Sequence, residues 1–479
     1  MTPTIIVIVL VVYFAALLII AHYTSKGADT DAFFTGNRSS PWYLVAFGMI
    51  GTSLSGVTFI SVPGAVGTQA FSYFQFVLGY LFGYAFIALV LMPIYYRLNL
   101  VSIYTYLEQR LGFWSYKTGS FYFILSRTIG ASFRLYLAAE VLQIGLFNQF
   151  GVPFWLTVLI TISLIWIYTF KGGIKTIVVT DSFQTIFLIG SVSICVVLIT
   201  QQLGLSLSGL MDNFQINPNT QIFFWDFNDN KFFFKQLLSG AFIAIVMTGL
   251  DQDLMQKNLT CKNIKEAQIN MFTFCIILVI VNFLFLTLGA LLYMYVDSFH
   301  IAIPTRTDQL FPMLALNNFG IFAGILFLLG ITASSYASAD SALASLTTAF
   351  CIDFLNFSNH SDEKAKKKIK LWVHIGFSVL LFIVIILFRL INNEAVITMV
   401  FKVAGYTYGP LLGLFFFGLF TKMEVNDKWV PLVCLLSPII TYLINVNSES
   451  LLNGYKFGFE LLILNGLITF IGLIILRKK

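Results

Sequence analysis

The sequence predicts an all-α membrane protein of about 13 transmembrane helices. Three observations carry that expectation. The chain of 479 residues is 58% hydrophobic and 10% charged, with a mean hydropathy of +0.87, whereas a soluble chain carries roughly a quarter charged residues. Apolar runs of about 20 residues recur along its length, each long enough to cross a hydrocarbon core of roughly 30 Å as a helix. The basic residues gather in every second connecting loop, as cytoplasmic loops do.

In chain order the runs are 4–23, 42–66, 71–96, 120–147, 153–170, 177–200, 234–254, 270–296, 319–352, 371–391, 395–420, 429–446 and 457–476, called spans 1 to 13 below. Span 1 is too long and too continuously apolar for a signal peptide and lacks a basic leader. An odd span count puts the termini on opposite faces. With the N-terminus outside, the inside loops, Lys257 included, hold 20 of the 28 Lys and Arg residues, against Lys231, Lys235, Arg306 and Lys456 outside. The expected location is therefore the plasma (inner) membrane, multi-pass, with the N-terminus outside and the C-terminus cytoplasmic.

The net charge of +6 follows this topology and forms no basic patch for nucleic acid. The run HSDEKAKKKIK at 360–370 reads as a topology determinant at anionic headgroups. The partners expected are the lipid bilayer and a small-molecule solute, with no obligate protein partner. Cys195, Cys261, Cys275, Cys351 and Cys434 occur singly and read as small buried hydrophobes. His22, His300, His360 and His374 share no ligand spacing and are each expected at a helix end or in a loop. No G-x-S-x-G, H-E-x-x-H or Walker lysine motif is present, so neither enzyme chemistry nor ATP-driven pumping has support.

Function in a membrane bundle concentrates where polar residues or helix breakers interrupt a span. Span 2 carries Gly48, Gly51, Thr52, Ser53, Ser55, Gly56 and Thr58 before Pro63 and Gly64. These weaken a helix and supply hydroxyls for freed backbone groups, although close packing through small residues explains them too. In span 9, Ser334, Ser338, Ser341 and Ser345 share one helical face. Packing accounts for that stripe but not for Asp340, whose charge at mid-span costs about 2.5–3.5 kcal/mol. Asp340 is predicted to face the interior, about 130° from the centre of the stripe, with Ala337 between.

Asp181 lies just inside the cytoplasmic end of span 6. Span 7 ends in Asp251, Gln252, Asp253 and Gln256, where capping and loop solvation are the default and gating the second reading. In span 4, Arg127 and Arg134 share a face near Glu140; they neutralise carboxylates on neighbouring helices or contact an anionic solute. Gly405, Gly409 and Pro410 make span 11 a hinge or a close-packed helix.

With these segments in place, the chain resembles the sodium:solute symporter family. The matching features are the W-x(n)-S-x-x-T-F-I-S-x-P-G segment ending at Gly64, YLEQRLG at 106–112, KGGIKTIVVTDSFQ at 171–184, QDLMQK at 252–257, SADSALAS at 338–345 and GYTYGPLLGLF at 405–415. The resemblance implies a five-plus-five inverted repeat (the LeuT-like fold), with repeats at 42–200 and 234–420, an extra N-terminal helix at 4–23 and C-terminal helices at 429–476. The first helix of each repeat is expected to break at the substrate site; span 7 signals this only through Ser239, Gly240 and Gly249.

It further implies one or two sodium ions as co-substrate. The main site falls on Gly51, Leu54, Ser334, Ala337 and Ser338, with Ala337 standing where relatives place a hydroxyl. A second site falls on Asp181, Asp340 and Ser341, whose carboxylates are expected to compensate for Ala337. Solute contacts are expected at Ser53, Ser55, Thr58 and Gln75, with Arg127 and Arg134 as further candidates and Phe71, Tyr73 and Phe74 as a lid. The arginine that holds a carboxylate in sialic-acid relatives aligns near Gly130, so sialic acid is not assigned. The function implied is sodium-coupled import of a small polar solute (sugar, sialic acid, carboxylate or amino acid) by alternating access. The alternatives are proton coupling through Asp181 or Asp340, and a non-transporting sensor.

Overall fold

A computed structural model describes residues 3–24, 36–169, 173–355, 362–391 and 395–478. The loop around Lys26, together with Lys171 and His360, lies outside the described residues. Each of the thirteen apolar runs is occupied by helix. Among the described residues ten spans, counting each bent pair as one, are long and apolar enough to cross a bilayer. Spans 5 and 13 (Phe154–Thr169 and Leu461–Ile475) are apolar but shorter. Span 4, Phe113–Gly145, has the length at 33 residues but carries Lys117, Arg127, Arg134 and Glu140.

Three spans bend sharply. Span 2 runs Trp42–Ser53 and Gly56–Gln69 with 56° between the halves, span 7 runs Phe233–Gly249 and Gln252–Asn258 with 68°, and span 11 runs Val396–Thr407 and Gly409–Phe420 with 47°. Each break has a local cause. In span 2, Leu54 and Ser55 leave helical geometry (ψ 69° and 175°) between glycines and hydroxyls. In span 7 a π-helical turn, Ile245–Gly249, precedes Asp251, which is extended and caps the new helix by accepting from the Asp253 amide at 2.9 Å. Pro410 opens the second half of span 11, where its missing N–H has no helical partner to lose.

The packing is reciprocal. The second half of span 2 lies on span 8, Ile264–Ser298, while span 7 lies along span 3, Ser72–Arg97. The first helix of each five-helix set thus packs on the second helix of the other, and the third helices, spans 4 and 9, pack on each other. The span 3 to span 7 contact is close enough that a Cβ on Gly240 would overlap the Phe76 carbonyl, and one on Gly79 the Leu237 carbonyl.

Three expectations are corrected. Asp251, Gln252, Asp253 and Gln256 are buried rather than solvated at an edge, because the chain turns back into the bundle after the break. Lys257, counted with the inside loops, is 0% exposed. His374 is buried within span 10, where its Nδ1 lies 3.0 Å from the Thr347 hydroxyl, rather than at a helix end. The five cysteines are buried and free.

Candidate functional site

The break in span 2 sits against spans 6 and 9. A Cβ on Gly51 would stand 3.1 Å from the Asp181 carbonyl and 3.6 Å from the Ala337 methyl. The Thr52 hydroxyl donates to Asp181 Oδ2 at 2.9 Å and lies 3.5 Å from the Ala337 carbonyl. Gly51, Asp181 and Ala337, from three separate motifs, therefore meet at one point. The first half of span 2 ends at Ser53, so the carbonyls from Gly51 to Leu54 lose their i+4 amides and are left as oxygen acceptors. Ser334 and Ser338 are buried on span 9; the Ser334 hydroxyl donates back to Ile331 O at 3.0 Å and keeps its lone pairs. Backbone carbonyls and hydroxyls are the ligand chemistry a hard cation takes.

Beside these oxygens lies an inner cavity of about 60 Å³, its polar lining including Ser53, Ser55, Thr58, Arg127 and Arg134. The second half of span 2 starts here at Gly56, so its first-turn amides and positive dipole end stand at the cavity. Arg134 is 8% exposed, and its guanidinium donates to Ser338 Oγ at 3.2 Å. Among the described residues no carboxylate forms an ion pair with it. Arg127, a turn or two below on the same face, is paired with Asp253.

Tyr73, Ile397 and Phe401 line both this cavity and a larger one of about 400 Å³ on the face predicted to be outside. Phe401 packs at a tilt against Phe76 and Phe459 at 5.0 and 4.9 Å between ring centres, and the Tyr73 hydroxyl lies 3.3 Å from that of Tyr80. The inner cavity is below the roughly 300–1,000 Å³ of ordinary ligand pockets, so a larger solute requires these aromatics to part. Gln75 is not in the lining: its amide donates to Lys231 O at 2.9 Å and accepts from the Phe224 amide at 3.2 Å, anchoring the outer segment instead. Phe71 and Phe74 pack against Phe283, so of these three aromatics Tyr73 is the one that lines the cavity.

Below the cavity, towards the face predicted to be cytoplasmic, lies a layer of buried polar pairs. Asp253 holds Arg127 and accepts from the Ser341 hydroxyl. Lys257 holds Asp181 and donates to Thr52. The Tyr408 hydroxyl donates to Asp251 at 2.5 Å, and those of Tyr95 and Tyr104 donate to the carbonyls of Gly249 and Leu250, each at 2.9 Å. Asp340 is fully buried on the side of Tyr13 of span 1 and does not join the Ser341 hydroxyl. Sequence reasoning missed Asp253, Lys257 and Tyr408 as parts of this layer. The available signal was three charges within seven residues of an apolar run, each needing a partner once buried.

The model of the sodium:solute symporter family matches residues 33–428. The sodium/sialic acid symporter of Proteus mirabilis is 29% identical over 430 residues, covering 86% of this chain and 83% of that protein. Sodium-coupled monocarboxylate transporter 1 of Mus musculus is 26% identical, covering 85% and 68%. A solved substrate-bound, outward-open structure of a Na+-coupled sialic acid symporter superposes with a TM-score of 0.83 over 99% of both chains at 22% identity, a likeness of fold.

Proposed function

Since the chain belongs to the sodium:solute symporter family, with relatives that are transporters and not enzymes, we propose that it is a sodium-driven symporter for a small organic anion carrying a carboxylate. It is a multi-pass membrane protein of the five-plus-five inverted-repeat fold. The proton-driven alternative finds no support in the relatives, which are named for sodium.

The observation that carries the carboxylate is Arg134, a buried guanidinium at the solute cavity that contacts a hydroxyl and, among the described residues, forms no ion pair with a carboxylate. A buried charge without a counter-ion is costly, and the half-helix N-terminus at Gly56 adds positive potential to the same cavity. The two relatives named for sialic acid and monocarboxylates act on carboxylates. Ser53, Ser55 and Thr58 orient the remainder of the solute, and Tyr73 with Phe401 closes over it.

The main sodium binds the carbonyls of Gly51, Leu54 and Ala337 with the hydroxyls of Ser334 and Ser338, Ala337 contributing its backbone in place of a hydroxyl. Because Ser338 accepts from Arg134, the ion and the guanidinium compete for one oxygen. Sodium on Ser338 weakens the hold of that hydroxyl on Arg134, and the solute carboxylate receives the guanidinium, so each ligand favours the other. The repeats at 42–200 and 234–420 rock about this point, with the N-terminus outside and the C-terminus cytoplasmic. Each uncompensated sodium entering adds about 2.3 kcal/mol per 100 mV.

Proteoliposome uptake tests the reading with sialic acid and pyruvate against the neutral sugars N-acetylmannosamine and glucose, in sodium or choline. Accumulation of a carboxylate in sodium alone is expected. Sodium-driven uptake confined to the neutral sugars would overturn the carboxylate, and equal uptake in choline would overturn the coupling.

A further inference from the structure

We propose that Lys257 is the resident cation of the Asp181 pocket, its ammonium standing where a second sodium would bind, so that the chain carries one sodium per cycle. This rests on the sodium-symport reading above. Lys257 and Asp181 both have side chains 0% exposed, and the ammonium touches Asp181 Oδ2 and Thr52 Oγ1 together. Thr52 in turn donates to the same carboxylate oxygen at 2.9 Å, which closes a three-membered ring of contacts between spans 2, 6 and 7.

Two of the other positions assigned to the ions are engaged elsewhere or present no side-chain oxygen. Ser341 donates to Asp253, which is itself neutralised by Arg127. Ala337 presents a methyl on the side facing Gly51. With the ammonium in place Asp181 Oδ1 is the carboxylate oxygen left without a partner; removing the ammonium also releases Oδ2 and the Thr52 hydroxyl beside it, oxygen ligands of the kind a hard cation takes. A sodium there would also face the Lys257 ammonium across a few ångströms, with one negative charge between two positive ones. Asp181 is therefore a structural counter-ion that ties the short helix Gln252–Asn258 to spans 2 and 6. One consequence is that a monocarboxylate and its sodium cross together without net charge.

The test counts bound ions directly. Radioactive sodium is titrated onto the purified full-length chain in detergent, with potassium as the control. One sodium per chain and a Hill coefficient of one are expected for the wild type. Lys257→Met strips the ammonium while keeping the bulk, and is expected to raise the count to two; adding Asp181→Asn to it returns the count to one. Two sodiums on the wild-type chain, or a single sodium of unchanged affinity on Lys257→Met, would overturn the inference. Should Lys257→Met not fold, the wild-type count decides alone. No sodium binding above the potassium control is a different failure: it removes the symport reading and this inference with it.

Discussion

The Tyr408 hydroxyl donates to Asp251 at 2.5 Å, joining the bend of span 11 to the bend of span 7. Tyr408 is the residue between the halves Val396–Thr407 and Gly409–Phe420, and Asp251 caps the helix that follows the break in span 7. A hydrogen bond to a buried charge contributes about 1.5–3 kcal/mol, which couples the two bends energetically.

Tyr408→Phe keeps the ring and removes this link. The maximal rate of sodium-driven uptake is expected to fall by about tenfold, with the half-saturating sodium concentration moving by less than about twofold, since the substitution does not touch the ion ligands. Initial-rate uptake against sodium concentration checks this. An unchanged rate with a large shift in sodium affinity would contradict hinge coupling.

Asp253→Asn leaves Arg127 buried beside a neutral amide and takes the acceptor of Ser341 with it. Breaking a buried pair from one side costs about 3–5 kcal/mol, whereas replacing both partners by apolar residues often costs little. Thermal unfolding in detergent is expected to show a large loss for Asp253→Asn and a much smaller one for Arg127→Met combined with Asp253→Leu. Equal losses would show that the pair does more than neutralise charge.

Gly240→Ala and Gly376→Ala separate packing from propensity. A Cβ at Gly240 would overlap backbone at Phe76, which has nowhere to go, while nothing stands within 4 Å of one at Gly376. Gly240→Ala is expected to reduce the monodisperse yield several-fold, and Gly376→Ala to leave it unchanged or raise it slightly. Size-exclusion profiles of the two variants provide the comparison.

Much of the frame was legible because lipid imposes simple rules. Apolar run length placed a helix in each of the thirteen runs, ten of which, among the described residues, are long and apolar enough to cross a bilayer, and the glycines and hydroxyls around Gly51 to Gly56 marked the first break. The second break was faint because its cause is Asp251, an acid that looks like an ordinary helix edge until the chain is seen to turn inward. Lys257 was misread for the same reason: a lysine after an apolar run resembles a loop residue, and its partners Asp181 and Thr52 lie 76 and 205 positions away. Gln75 shows the converse. A polar residue within a span suggested a solute contact, yet its amide holds the outer segment near Phe224 and Lys231. Arg127 and Arg134 looked alike in sequence, and only the position of Asp253 separates the paired one from the one left facing the cavity.

Sodium binding to Arg134→Gln, measured with no solute present, tests the shared Ser338 most directly. With the competing guanidinium gone, the purified variant is expected to bind sodium several-fold more tightly than the wild type, while sodium-driven uptake of a carboxylate falls by about a hundredfold, as loss of a buried charge-pairing partner implies. Sodium binding that is unchanged or weaker, with carboxylate uptake retained, would contradict a role for Arg134 in linking ion to solute.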